Sequence, residues 1–225
     1  VAAAVVLSLV LPLGCRDDEP AATKQAPTLA QRLGAMSIQA QLDTLRTLER
    51  TRPDDATIAF HFGNAYYEAS GSFPVEQKDR AVAYYDSAVT AYQRAVAIDS
   101  TYSKAYVNMG LTYEAMGNRP EAHQALEKAI EVNPQDVLAY CHLGQYLQSF
   151  GNYGEAMKNY RRALAIDPNS AQAHYNLGLA FAEQKVFKEA LVEWEKVIAL
   201  DPNGELGKTA AENVRLLRQY EEAKP

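Results

Sequence analysis

Few side chains in this sequence are candidates for chemistry, and their spacing argues against it. The histidines are His61, His123, His142 and His174. A helical metal site needs ligands three or four residues apart, and no two of these four are so placed. They read as groove-lining or partly exposed imidazoles. Cys141 has no partner Cys and no local Cys-His ligand spacing, whereas a reactive thiol needs a cationic setting. It reads as a small, semi-buried residue. Glu193-Trp194-Glu195 reads as another helix segment, with Trp194 as a core ring and the Glu pair on its flanks. There is no glycine-rich phosphate loop and no serine nucleophile in a strand–turn–helix setting. The chain is therefore expected to have no catalytic residue, metal, cofactor or small-molecule substrate. It is not expected to be an enzyme.

Composition narrows the field further. The chain has 225 residues, enough for one domain or at most two. Apolar residues make up 48% and charged residues 22%, which suits a soluble globular protein and not a disordered or polytopic membrane one. The formal net charge of −6 argues against non-specific nucleic-acid binding, which needs a basic face. Two cysteines cannot make a disulfide framework. Tyrosine is over-used, 14 against 6 Phe and a single Trp, and the excess is positional.

A 34-residue period organises the chain. In units starting at Ser103, Val137 and Ala171, the eighth residue is Gly110, Gly144 and Gly178. The seventh is Met109, Leu143 and Leu177, and the eleventh is Tyr113, Leu147 and Phe181. Ala122, Ala156 and Ala190 stand at position 20, and Leu126, Tyr160 and Trp194 at position 24. Pro134, Pro168 and Pro202 stand at position 32. An earlier unit from Ala56 keeps Phe62, Gly63 and Tyr66; its second half, with Ala88, Tyr92 and Ala95, fits after about 13 extra residues. The turn signal Ser70–Pro74 places that insertion at the start of the second helix. Small residues at positions 8 and 20 are expected to face one another across antiparallel helices and bring the axes close. Large residues fill the space around them, Tyr where a buried ring has a hydroxyl reaching the edge. Proline at position 32 ends each second helix, because it drives its predecessor out of the α region. Asp and Asn beside it supply cap oxygens. Gly117-Asn118 and Gly151-Asn152 turn the chain within a unit.

These positions resemble the tetratricopeptide repeat (TPR) family. The resemblance implies an all-α fold, a right-handed α-solenoid of helix hairpins. The expected layout is a tether at 16–34, an N-terminal capping helix at 35–55 and a first repeat with the insertion at 56–102. Repeats at 103–136, 137–170 and 171–204 follow, then a C-terminal capping helix at 205–225, closing the array at both ends. The resemblance also implies that positions 2, 5, 9 and 12 of the first helices line a concave wall. Here those are Thr57, Phe60, Asn64 and Tyr67; Lys104, Val107, Leu111 and Glu114; Leu138, Cys141, Gln145 and Gln148; and Gln172, Tyr175, Leu179 and Ala182. Only Lys104 and Glu114 among them are charged. A carboxylate clamp for acidic tails needs two or three cations, so this wall is unsuited to one, although Asn108 and Asn176 stand at position 6. It suits a protein segment with apolar anchors, oriented by Asn64, Asn108, Gln145, Gln148 and Gln172, with weak salt sensitivity.

The first residues stand apart from the fold. Val1 to Leu13 is apolar except for Ser8 and Pro12. Thirteen helical residues rise about 20 Å, short of the ~30 Å hydrocarbon core, and match the apolar region of a secretory signal. Without Met or a basic start, the segment is expected to be truncated. Gly14-Cys15 followed by Arg16-Asp17-Asp18 resembles a bacterial lipoprotein signal, with Pro12 standing where Leu is preferred. That resemblance implies lipidation of Cys15, a membrane tether and a place in the cell envelope; Arg16 implies the outer membrane, facing the periplasm. The expected function is a non-catalytic scaffold binding an envelope partner. A soluble TPR adaptor or co-chaperone, or a non-catalytic subunit docking through the long Val75–Ile98 helix, are the alternatives.

Overall fold

A computed structural model describes residues 28–72 and 78–223, and among these it contains eleven helices and no strand. It divides into two units after Ala35. In the first, Leu29–Gly34 forms a short helix, α1. The Thr28 hydroxyl accepts from Gln31 N–H while the Gln31 side chain accepts from Thr28 N–H, a reciprocal cap. The end of the expected tether is therefore helical. Six residues are too few to show an apolar period, and the cap is the only local signal. The signal segment and Cys15 lie outside the described residues.

The second unit holds ten helices: α2 (Ile38–Thr51), α3 (Ala56–Ser70), α4 (Lys78–Ile98), α5 (Ser103–Met116), α6 (Arg119–Val132), α7 (Val137–Ser149), α8 (Tyr153–Ile166), α9 (Ala171–Glu183), α10 (Phe187–Leu200) and α11 (Glu205–Glu222). Side-chain oxygens of Ser37, Asp55, Asp136, Asn152 and Ser170 accept from first-turn N–H groups and start α2, α3, α7, α8 and α9. Left-handed residues end the turns between paired helices: Gly117 at φ 82° and Gly151 at φ 75°. Lys185, one period later, takes φ 60° without the benefit of glycine. The insertion shows as a longer α4, with 21 residues against 14 in α6, α8 and α10.

Paired helices, α3 with α4, α5 with α6, α7 with α8 and α9 with α10, pack closely. The position-8 glycines are buried, and their nearest partner is the position-24 side chain; at Gly110 the backbone oxygen of the position-20 Ala122 also lies 3.2 Å from the place of a Cβ. A Cβ on Gly63 would meet the Tyr92 ring, and one on Gly144 the Tyr160 ring. On Gly178 it would lie 2.5 Å from Trp194 Nε1, and on Gly110 2.8 Å from Leu126 Cγ. Each glycine is thus a socket for the position-24 side chain. Ala122, Ala156 and Ala190 are fully buried beside these sockets. Seating a side chain such as Leu126 contributes about 1.5–3 kcal/mol.

The first helices α3, α5, α7, α9 and α11 also touch one another in series, whereas the second helices make no comparable contact. The first helices thus stand side by side and form a continuous wall.

Candidate functional site: the wall of first helices

The structure sorts the candidate residues by depth. At position 5, Phe60, Val107 and Cys141 are buried, with Cys141 at 1% exposure. Phe60 packs with Ala59, Tyr92 and Met109; Val107 with Leu143 and Tyr146; Cys141 with Ala163 and Ala173. They seal one repeat onto the next and are not presented to a partner, which corrects the expectation. The close approach of successive first helices buries this position. Tyr175, the fourth, stays half-buried and receives the Asn213 amide on its hydroxyl at 3.4 Å.

Asn64, Tyr67, Asn108, Leu111, Glu114, Leu138, Gln145, Gln148, Gln172 and Leu179 are half-buried, and Lys104 is exposed. The amides do not stand open as expected; they are largely spent on one another. Asn64 Oδ1 accepts from Tyr92 Oη and from Asn108 Nδ2, both at 2.8 Å. Asn176 Oδ1 accepts from Gln172 at 3.0 Å and from Gln145 at 3.4 Å. Gln148 accepts from Tyr160 Oη at 2.8 Å and donates to Glu183 at 2.9 Å. Apart from the Gln172–Asn176 bond within α9, these bonds run from one first helix to the next, or down to the core tyrosine. Burial pushes the Tyr92 and Tyr160 phenols above their usual pKa and keeps them as neutral donors.

Two wall groups are less satisfied. Asn176 is 1% exposed, and its Nδ2 has no hydrogen-bond partner among the described residues. The sequence places it at position 6 but cannot show that its oxygen is doubly used. Burial raises the Glu114 carboxyl above the usual carboxylate range, with no cation offsetting it. His61 and His142, also at position 6, are held below the ordinary imidazole value by burial.

His174 departs from the surface role expected of it. It is buried, with Nδ1 2.5 Å from Glu193 Oε2 and Nε2 3.0 Å from the Pro168 carbonyl oxygen. It ties α9 to α10 and to the preceding loop. His123 stacks on Tyr146 at 5.5 Å, away from the wall. No group of three or more His, Cys, Asp or Glu among the described residues could hold a metal ion. No described helix is long and apolar enough to cross a membrane. Two depressions lie off the wall, one over Arg161, Phe181, Lys188 and Val192, the other over Arg52, Asp55, Ile98 and Asp99.

Comparison with known families gives the period its name. The pattern described as TPR repeat matches residues 84–117 and 149–185, and those described as tetratricopeptide repeat match 103–136, 125–158 and 172–204. Together they span 84–204 without a break. The chain belongs to the tetratricopeptide repeat family. TPR units are generally non-catalytic protein-interaction modules, and this chain has the fold of a TPR scaffold. No curated protein matches it. Among solved structures it is similar to MamA, 20% identical over 77% of this chain and 89% of that one, with a TM-score of 0.54. A MamA RS-1 double mutant is 19% identical over 79% and 92%, TM-score 0.57. The first TPR of Spaghetti (RPAP3), solved bound to the HSP90 peptide SRMEEVD, is 20% identical over 56% and 97%, TM-score 0.50.

Proposed function

We propose that this TPR chain is a non-catalytic scaffold that holds a segment of a partner protein along its wall of first helices, and that a lipidated Cys15 tethers it to the bacterial envelope. The observation that carries the binding role is the wall itself. Tyr67, Leu111, Leu138, Tyr175 and Leu179 offer half-buried apolar surface along one face. The RPAP3 repeat holds an acidic peptide. Here Lys104 is the one cation among the wall positions, so an acidic tail is not the expected occupant. Gly14, Cys15 and Arg16 support the tether and the outer-membrane, periplasm-facing assignment.

The test is site-specific photo-crosslinking in intact cells. A photoreactive residue at Leu111 or Leu179 should capture a defined protein, and one at Glu127 on α6 should not; capture only from Glu127 would overturn the binding role. Acyl labelling that is lost in Cys15→Ala, with release of the protein from membranes, tests the tether.

A further inference from the structure

The two ends of the first helices differ in electrostatic character. Partial negative charge gathers at helix C-termini, and cations in the last turn ordinarily offset it. None of α3, α5, α7 or α9 has a basic residue in its last turn. Three of them instead carry carboxylates near that end: Glu68 on α3, Glu114 on α5 and Glu183 on α9. Glu68 is 3.5 Å from the Gln41 amide and Glu183 accepts from Gln148, so both have neutral donors. Glu114 has no ion pair or hydrogen bond among the described residues and is half-buried. It stands near the C-terminal end of α5, which packs against α3 on one side and α7 on the other. Lys104 lies ten residues earlier on the same helix, about 15 Å away by helical rise. The Arg119 guanidinium sits 4.4 Å over the Phe150 ring.

A carboxylate partly withdrawn from water without a counter-ion is costly to the folded chain. Beside wall amides that bond to one another, it marks where a ligand's charge belongs. We propose that the wall selects a segment bearing a basic side chain, Lys or Arg, seated against the C-terminal edge of the first helices with Glu114 as its counter-ion and Tyr67 and Leu111 around its stem. This inference rests on the wall being the binding face. A single pair at a half-buried site is screened less than exposed charges are, in keeping with weak salt sensitivity.

The test is selection of random twelve-residue displayed peptides on the full chain, in parallel with Glu114→Gln and, as a control, Glu127→Gln. The parent and Glu127→Gln should enrich peptides with a Lys or Arg next to an apolar residue, and Glu114→Gln should not. A selected peptide should lose about ten-fold in affinity on Glu114→Gln. It should lose as much when its own basic residue becomes Gln, with little further loss when both changes are combined. Selected peptides without a basic preference, or equal binding by Glu114→Gln, would overturn the charge assignment and leave the binding face intact. Selection of no peptide would overturn both. Circular dichroism and melting of Glu114→Gln establish that it is folded.

Discussion

Gly144 shows what one missing methyl group does here. Its absent side chain leaves room for the Tyr160 ring, whose hydroxyl then reaches Gln148 on the wall. Gly144→Ala should destabilise by about 2–3 kcal/mol, since the ring must leave its socket. Gly154→Ala, where an added Cβ meets nothing within 4 Å, should be neutral or slightly stabilising. Thermal melts of the pair check this; equal melting would mean that the glycine is not a socket. Glu114 predicts the opposite sign. Its pKa is raised in the folded chain, so ionisation opposes folding above the unfolded value, and stability returns as pH falls through the folded one. Glu114→Gln should therefore melt higher than the parent at pH 7, with the gap closing under acidic conditions. A lower melting point at pH 7 would show that the carboxylate has a partner within the chain.

Among the elements, the turn between α9 and α10 breaks the pattern of its predecessors. Gly117 and Gly151 take the left-handed conformation at little cost, whereas Lys185 holds φ 60° with a Cβ in place. Lys185→Gly should raise stability by about 1 kcal/mol in denaturant titration, partly offset by the freer unfolded chain. No gain would mean that the lysine side chain contributes contacts that match the strain. The same period that makes Gly117 and Gly151 readable as turn residues makes the helix starts at Ser103, Val137 and Ala171 readable. It does not report depth. Phe60, Val107 and Cys141 share a register position with Tyr175, yet three are sealed between helices and one is half-open, because burial depends on how closely neighbouring first helices approach. Likewise the amides at Asn64, Gln145 and Gln148 are legible as wall residues, while their mutual hydrogen bonds depend on inter-helix distances that no single helix encodes. Glu114 is legible as the one acid among the wall positions; that no cation among the described residues offsets its burial is a property of the stack.

For the molecule as a whole, stability is shared between neighbours, each repeat packed on the next. The stack therefore need not reorganise to accept a ligand. Among the described residues, the wall amides of Asn64, Asn108, Gln145, Gln148 and Gln172 already bond within the chain. The central claim is that this face, and not the outer second helices, holds the partner. Amide hydrogen exchange of the full chain with and without a peptide selected on it tests that most directly. Protection should rise along Leu111, Glu114 and the C-terminal turns of α3, α5, α7 and α9, with α4, α6, α8 and α10 unchanged. Protection confined to the second helices, with the first helices exchanging as in the free chain, would contradict it.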